Sequence, residues 1–289
     1  GVPGVPFRDT IERAVMTKLS KRLLGLGDTS GGTPAATDDW PDSSALGLRD
    51  AGLSGWFQNE TDELFVGIPI SPDDVVVDVG CGEGGNLNFC ANRSARVIGI
   101  DMDPQCLEAA RKKLATTPAT DQEFLLAPAE ELPLDDEVAT RVICTEVLEH
   151  VDDPAVVLRE LYRVAKPGAL VLLTVPDALQ ERMQEVVAPD SYFQKPNHIR
   201  IVERDEFPEL VRAAGLEVLD QRSYGFFWSI WWSLFWAAEV DLENPQHPVL
   251  DHWTRSWAAL LETERGTERK QHLDTFLPKS QVIVARKPA

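Results

Sequence analysis

The sequence predicts an α/β fold: a doubly wound, mostly parallel sheet of seven strands, covered by helices and carrying a helical insertion before the last strand. Three observations lead to this prediction. A valine run enters a glycine-rich turn within residues 75–85, and strand-like and helix-like segments alternate after it. The segment 225–278 is then far longer than an ordinary connection between two strands, which indicates an insertion.

The first strand is the valine run Val75 to Val77, whose side chains are apolar and β-branched. Such a run is typical of a strand buried on both faces in the middle of a parallel sheet. The run ends at Asp78 and continues into a turn with four glycines within residues 80–85. Because glycine allows tight turns and close backbone approach, the stretch predicts a strand, a binding turn and a helix that begins near residue 84 or 85.

The glycine turn alone fits two kinds of ligand. Gly80, Gly82 and Gly85 match G-x-G-x-x-G, and Asp101 lies 21 residues after Gly80, as in a dinucleotide site. S-adenosylmethionine fits equally well, because it offers a ribose diol to Asp101 and an ammonium group to Asp78. An acid beside the turn is unhelpful to a pyrophosphate, so Asp78 favours the sulfonium ligand.

The rest of the chain alternates between the two element types. The second strand ends at Asp101. The helix after it has Pro104 in its first turn, and Asp153 can cap the helix that Pro154 begins. The segment Lys166-Pro167-Gly168 is expected to end a helix, and Gly215 to close another. The predicted strands are 75–77, 96–100, 123–126, 141–145, 169–175, 216–224 and 281–286, and the predicted helices are 104–115, 153–165 and 203–214.

The regions before and after this core predict two further parts. Residues 1–45 contain a short amphipathic helix over 8–24 and a segment rich in Gly, Ser, Thr, Asp and Pro. A second helix is expected over 53–65 at the start of the core. The core itself comprises 46–224 together with 279–289, and 225–278 is predicted to be a Trp-rich helical insertion.

The insertion begins with GFFWSIWWSLFWAAEV, which holds four of the eight tryptophans of the chain. It is too short to cross a bilayer as a helix and too apolar to face water. It is therefore expected to be a cap over a substrate pocket or an interface with another subunit, which would make the protein a homodimer.

Composition restricts the partners. The formal net charge is −19, which disfavours nucleic acid and anionic lipid surfaces and favours a small-molecule substrate. The four cysteines are not paired at metal-ligand spacing, so no metal site is expected. No signal peptide and no apolar run of about 20 residues is apparent, which predicts a cytoplasmic protein without a membrane span.

Six motifs in order resemble the class I S-adenosylmethionine-dependent methyltransferases, close to the ubiquinone and menaquinone methylating enzymes. They are VVVDVGCGEGG (75–85), GIDMDP (99–104), AEELPL (129–134), CTEVLEHVDDP (144–154), RVAKPGALVLLTVP (163–176) and HIRIVERDEF with AAGLEV (198–218). The resemblance covers roughly residues 50–224 and the last strand. It implies a Rossmann-like methyltransferase fold and S-adenosyl-L-methionine as cofactor.

The resemblance also implies a role for each matching residue. Asp78 and the turn Gly80, Cys81 and Gly82 would face the methionine part of the cofactor, and Asp101 would hold its ribose hydroxyls. Met102 would pack on the adenine, Ala129 and Glu130 would lie at its edge, and Glu146 would lie under the cofactor at the substrate entrance. The family usually has an acid where this chain has Pro128, so the side-chain contact to the adenine amine is in doubt.

Two histidines are candidate catalytic residues. His150 in EVLEHV and His198, in a loop after the fifth strand, are expected at the ligand-binding edge of the sheet. A neutral imidazole there could take a proton from a hydroxyl, whereas the alternative for each is a structural hydrogen bond.

These residues together predict methyl transfer from S-adenosylmethionine to a small, partly apolar acceptor at oxygen. Alignment and exclusion of water would be the main work of the protein, and a general base would be optional. The alternatives are transfer to nitrogen or sulfur of a small metabolite and, in another class, an NAD(P)-dependent oxidoreductase. A scaffold protein without turnover is a third hypothesis, which the intact acids Asp78, Asp101 and Glu146 disfavour.

Overall fold

A computed structural model of the chain describes residues 42–242 and 244–289 and has a seven-stranded sheet at its centre. The strand order across this sheet is β6-β5-β4-β7-β8-β10-β9. Its strands are β4 (Val75–Val79), β5 (Arg96–Asp101), β6 (Gln122–Leu126), β7 (Ala139–Thr145), β8 (Ala165–Pro176), β9 (Glu217–Tyr224) and β10 (Ser280–Arg286). A second sheet joins three short strands, β1 (Trp56–Gln58), β2 (Glu63–Phe65) and β3 (Ile68–Pro69).

Neighbouring strands from β6 to β8 pair in parallel, and only the last strand of the chain reverses direction. Strand β10 pairs antiparallel with both β8 and β9. The chain leaves β4 for β5 on one side and later enters β7 on its other side, which creates a crevice outside the carboxyl end of β4. The predicted doubly wound, mostly parallel sheet of seven strands is confirmed.

Helices cover the sheet. Those that follow β5 and β7 begin at Pro104 and Pro154, as the sequence predicted. The carboxylate of Asp153 caps the second of them, as predicted, and that of Asp103 caps the first. The helices are α1 (Ser43–Leu53), α2 (Gly85–Ala91), α3 (Pro104–Leu114), α4 (Pro154–Val164), α5 (Ala178–Val187), α6 (Glu206–Ala213), α7 (Phe226–Ala237), α8 (Pro248–Leu261) and α9 (Gly266–Phe276). A 3-10 turn, Asp190–Phe193, follows α5.

The valine run of β4 contributes to the core on both faces of the sheet. Val77 and Val79 belong to one buried cluster, which includes Leu158 of α4. Val76 belongs to another on the opposite face, with Leu87 of α2. Because alternate side chains of a strand point to opposite faces, a strand covered on both sides needs consecutive apolar residues, as the run suggested.

The helix expected over residues 53–65 is not formed. Helix α1 ends at Leu53, and β1 and β2 form an antiparallel pair in which Trp56 lies opposite Phe65. Gly55 at φ 107° and two further residues with positive φ, Phe57 and Asp62, cannot continue a helix. The helix expected over 8–24 lies outside the described residues.

Two predicted boundaries were also wrong. Helix α4 ends at Val164, directly before the segment 166–168, but β8 begins at Ala165 and not at 169, and Ala165 pairs with Ala139 of β7. Gly168 donates its backbone N–H to the carbonyl of Lys287 (2.9 Å), so the early part of β8 stays attached to the chain end. Helix α6 begins at Glu206, three residues later than predicted.

The insertion between β9 and β10 contains the helices α7, α8 and α9, and its aromatic residues form a third apolar cluster. Trp231 and Trp232 of α7 are buried with Leu46 of α1 and Trp257 of α8. Much of the aromatic surface is therefore covered by helices of the same chain. Within the ranges that the structure describes, no helix has both the length and the apolar character needed to cross a bilayer.

A buried polar network ties α1 to the insertion. Lys270 of α9 is fully buried, and its Nζ lies 2.5 Å from Oδ2 of Asp274 and 3.4 Å from Oδ2 of Asp50. The indole N–H of Trp257 donates to Oδ1 of Asp50 (2.8 Å), and the backbone N–H of Gly225 donates to Oδ1 of Asp274 (3.1 Å). Two carboxylates thus share one ammonium group, and burial raises the pKa of Asp50 to about 6 despite the opposing effect of Lys270.

We expect Asp50→Asn to be tolerated and Asp274→Asn to destabilise the protein by about 3–5 kcal/mol, because only the second removes the close partner of Lys270.

The folded protein keeps a proton on Asp50 that the unfolded chain releases above the ordinary pKa of 3.8. Wild type should therefore lose stability as pH rises from 3.8 to about 6, and Asp50→Asn should lack this loss. Urea unfolding of both variants across this pH range measures it, and parallel curves for wild type and Asp50→Asn would contradict the assignment.

Candidate active site

The residues predicted to bind the cofactor meet at one edge of the sheet. Asp78 lies in β4, Asp101 ends β5, Ala129 follows β6 and Glu146 follows β7, so four neighbouring strands deliver them to the same end. This edge includes the crevice beside β4, where open α/β sheets bind their ligands.

The glycine turn after β4 is anchored on β5. The backbone N–H groups of Gly80 and Cys81 both donate to the carbonyl of Ile100, at 2.8 and 3.0 Å. Gly80 has φ 73°, and a Cβ at this position would lie 2.4 Å from the side chain of Val147. Gly82 has φ 52°, so the turn requires glycine for its backbone conformation.

Asp78 is the most unusual carboxylate of this edge. It is 1% exposed, and neither of its oxygens accepts a hydrogen bond from any residue in the described part of the chain. Burial and the nearby charge of Asp101 raise the pKa of Asp78 well above its ordinary value. A buried acceptor without a donor fits a cationic ligand group, and the ammonium group of S-adenosylmethionine is such a group.

Asp101 is buried and already supports the turn. Its Oδ2 accepts the backbone N–H of Gly82 (2.8 Å), and its Oδ1 accepts the backbone N–H of Asp103 (2.9 Å). Each carboxylate oxygen can accept a second hydrogen bond, so this arrangement is compatible with the predicted ribose contact. It also gives Asp101 a structural role in the loop.

The predicted adenine contacts lie next to Asp101. Met102 follows it directly and is 71% exposed, so its side chain is accessible to a flat apolar group. The backbone N–H of Ala127 donates to the carbonyl of Asp101 (3.2 Å), which holds the loop carrying Ala129 and Glu130 beside β5. The assignment of these three residues to adenine stays a prediction.

Glu146 adopts a left-handed backbone conformation with φ 56°, directly after β7. The hydroxyl of Thr174 donates to its Oε1 (2.9 Å), and Nζ of Lys279 lies 2.5 Å from its Oε2. Nothing in the sequence pointed to Lys279, which directly precedes β10 and is distant from Glu146 along the chain. Because strained residues held by several partners cluster at functional sites, Glu146 remains a candidate for the substrate entrance.

His198 lies in a buried polar cluster that the sequence did not predict as a unit. Its ring is 1% exposed, and its Nδ1 lies 2.6 Å from Oε2 of Glu181, a buried residue of α5. The hydroxyl of Tyr192 donates to the other oxygen of the same carboxylate (2.8 Å). Glu181 therefore positions both the imidazole of His198 and the phenol of Tyr192.

His150 lies against the same cluster. Its ring centroid is 4.9 Å from that of His198, and the two rings meet edge to face. Its Nδ1 lies 3.1 Å from the carbonyl oxygen of Pro196, and its Nε2 lies 3.6 Å from Oε1 of the buried Glu149. The backbone N–H of Ile199 donates to the carbonyl of Glu149 (3.0 Å), which fastens the loop of His198 to the turn after β7.

An open cleft of about 650 Å³ lies close to this cluster. The end of α5 and the segment after it form one wall with Val186 and Pro189, and the end of α7 forms the other with Trp236. The ring of Trp236 packs edge to face on Tyr192 at 6.0 Å. The side chain of Tyr192 thus lies between Trp236 in the wall of this mostly apolar cleft and the Glu181–His198 pair.

Part of the chain is similar in sequence to known methyltransferases. Residues 77–173 match the family model described as a methyltransferase domain. Methyltransferase GfsG of Streptomyces halstedii is 30% identical over 63% of this chain and 65% of its own length. The ubiquinone biosynthesis O-methyltransferase of Pseudomonas aeruginosa is 36% identical over 50% of this chain and 65% of its own length. The chain therefore spans just under two thirds of these relatives.

A solved structure supports the fold independently. The geranyl diphosphate C-methyltransferase of Streptomyces coelicolor, solved with Mg²⁺, geranyl diphosphate and S-adenosyl-L-homocysteine, aligns with 98% of this chain and 86% of its own. The TM-score is 0.52 at 15% identity, which is a likeness of fold. The matched domain and the relatives favour S-adenosylmethionine over a dinucleotide, the two ligands that the glycine turn left open. Residues 77–173 thus form a methyltransferase domain, and this domain and the relatives support a class I S-adenosylmethionine-dependent methyltransferase with S-adenosylmethionine as its cofactor.

Proposed function

We propose that the protein transfers the methyl group of S-adenosylmethionine to a hydroxyl oxygen of a small, partly apolar acceptor. The observation that carries the choice of oxygen is the buried pair of Glu181 and His198, with Nδ1 of the imidazole 2.6 Å from the carboxylate. A hydroxyl must lose its proton when it is methylated, and a histidine supported in this way is suited to receive it.

On this proposal, different residues bind the cofactor and accept the proton of the acceptor. Asp78 receives the ammonium end of the cofactor, and Asp101 and the glycine turn fix its ribose and methionine parts. When bound, the cofactor would supply a methyl group activated by positive sulfur, for which the neutral thioether is the leaving group. With Nδ1–H donating to Glu181, the Nε2 of His198 keeps its lone pair for the proton of the acceptor hydroxyl.

The expected apolar part of the acceptor follows from the surroundings of His198. The cleft beside Tyr192 offers Trp236 and Val186 as walls, and its position at the ends of α5 and α7 suits a group attached to the reacting oxygen. On this proposal the insertion 225–278 caps the substrate. An interface that makes a homodimer is the competing role for the same segment.

The printed name of one relative, an O-methyltransferase of ubiquinone biosynthesis, agrees with an oxygen acceptor on a partly apolar molecule. Transfer to nitrogen or sulfur is the alternative within the same chemistry. An NAD(P)-dependent oxidoreductase is disfavoured by the site itself, because the buried acid Asp78 beside the glycine turn is unhelpful to a pyrophosphate.

Calorimetry and an acceptor screen test the proposal. We expect S-adenosylhomocysteine to bind to the purified protein and NADH not to bind, because Asp78 complements an ammonium group. The screen offers matched aromatic acceptors that differ only in carrying a hydroxyl, an amine or a thiol, together with methyl-labelled cofactor. Label on the hydroxyl compound alone is expected. Binding of NADH without S-adenosylhomocysteine would reject the cofactor assignment, and label on the amine or thiol alone would reject oxygen.

A further inference from the structure

Glu149, His150 and His198 bring three potential metal ligands together beside the proposed active site. One ligand atom from each residue lies within 4.8 Å of the other two. Glu149 and His198 are each 1% exposed, and the side chain of His150 is 26% exposed. The cluster is therefore buried on one side and accessible from the other.

The hydrogen bonds at the far side of each ring determine which nitrogen keeps its lone pair. Nδ1 of His150 lies 3.1 Å from the carbonyl oxygen of Pro196, which can only accept, so Nδ1 carries the proton. Nδ1 of His198 donates to the carboxylate of Glu181 in the same way. In the neutral rings, Nε2 is then the basic atom of both histidines. Metal-binding histidines typically have this arrangement, in which the other nitrogen donates to a carbonyl or a carboxylate.

The spacing also matches a coordination sphere. Ligand atoms about 2.1 Å from a tetrahedral ion lie about 3.4 Å from one another. The Nε2 of His150 and the Oε1 of Glu149 are 3.6 Å apart. Small side-chain adjustments would bring the third ligand to the same centre, because the whole set already fits within 4.8 Å.

We infer that Glu149, His150 and His198 bind a divalent first-row transition-metal ion that holds the oxygen of the acceptor. Two imidazoles select such ions over Mg²⁺ and Ca²⁺, which prefer oxygen ligands. Three protein ligands leave coordination positions open, as in catalytic rather than structural sites. The part concerning the acceptor rests on the proposed function.

A cation here changes the role of His198. A bound cation lowers the pKa of an oxygen ligand, so that a hydroxyl can lose its proton to solvent near neutral pH without a protein base. His198 would then act as a ligand and Glu181 would orient it. The sequence did not predict this site, because the cysteines are not at metal-ligand spacing and the two histidines are 48 residues apart.

Cobalt binding to the full chain tests the site without any acceptor. After treatment with a chelator, wild type is titrated with Co²⁺ and followed by visible absorption, which reports imidazole coordination, and by calorimetry. We expect one ion per chain. His150→Ala, Glu149→Gln and His198→Ala should each weaken binding by about 100-fold or more, and Glu181→Gln by about 10- to 100-fold. The matched control His272→Ala changes an exposed histidine of α9 and should bind as wild type does.

Thermal melting in chelator verifies that each variant is folded. Because His150 is partly exposed, His150→Ala is the variant least expected to unfold the protein. Absence of a cobalt band in wild type, or unchanged binding in His150→Ala, would overturn the inference. Cobalt binding together with methylation of an amine or thiol alone would keep the metal site and reject the proposed oxygen acceptor. Full methylation of a hydroxyl in chelator, without cobalt binding, would keep the proposed function and reject the metal.

Discussion

Asp78→Asn is expected to weaken binding of S-adenosylhomocysteine by about 10- to 100-fold at mildly alkaline pH. A hydrogen bond to a charged group contributes about 1.5–3 kcal/mol, and the amide of Asn cannot pair with an ammonium as a carboxylate does. Calorimetry measures the affinity directly. Unchanged affinity would mean that the ammonium group lies elsewhere and that Asp78 has another function.

The same residue predicts how cofactor binding depends on pH. Because burial raises the pKa of Asp78, the ligand-free protein carries a proton there over part of the acid range. This proton must leave before the carboxylate can pair with the ammonium. Affinity of wild type should therefore rise with pH above the ordinary pKa of 3.8 and level off once Asp78 is ionised. The Asn variant should show no such rise.

As pH rises, the stability of the ligand-free protein should fall, whereas its affinity for the cofactor should rise. The folded state binds a proton at Asp78 that the unfolded chain has released, so the ligand-free wild type loses stability as pH rises through this range. Asp78→Asn removes a buried carboxylate that accepts no hydrogen bond from the described residues and should melt no lower than wild type near neutral pH. Weaker cofactor binding with unimpaired stability would identify a binding residue, whereas a large loss of stability would indicate a structural one.

Asp101 would be a less informative choice, because its two oxygens accept the backbone N–H groups of Gly82 and Asp103. Asp101→Ala would weaken the glycine turn as well as any ribose contact. A fall in affinity could then come from either cause. Asp78, which makes no such contacts, separates binding from folding.

The central strands could be predicted because a strand that is buried on both faces requires consecutive apolar residues, which are visible in the sequence. The run Val75 to Val77 and the Asp-Pro pairs before α3 and α4 are local signals, and the structure follows them. The segment 53–65 has helix-like spacing, but its conformation depends on Gly55 and on the pairing of Trp56 with Phe65, which spacing alone does not reveal.

The site residues also divide into those with a local signal in the sequence and those that depend on contacts across the fold. The positions of Asp78, Asp101 and Glu146 could be predicted because each lies at or directly after the end of a strand, and the ends of parallel strands meet at one edge of the sheet. Glu181 and Lys279 could not, because their roles depend on contacts across the fold, to His198 and to Glu146. Glu181 looks in sequence like any acid in the first turn of a helix, a position that the helix dipole favours without any function.

His198→Ala is expected to lower turnover of a hydroxyl acceptor by about 100-fold or more, because it removes the group that promotes loss of the acceptor proton. Affinity for S-adenosylhomocysteine should stay within about twofold of wild type, since the predicted cofactor contacts do not include His198. Glu181→Gln should give a smaller loss of about tenfold, because the ring remains but its orientation is less well defined. The control is His272→Ala, which should keep full turnover.

Metal addition to this variant then separates the two roles of His198. If the imidazole takes the proton itself, excess Co²⁺ cannot replace it, and the turnover of His198→Ala stays low. If the imidazole is a metal ligand, Glu149 and His150 still form part of the site, and raising the Co²⁺ concentration should restore part of the turnover by mass action. Turnover of His198→Ala equal to that of wild type in the absence of added metal would exclude both roles and leave alignment of the acceptor as the whole mechanism.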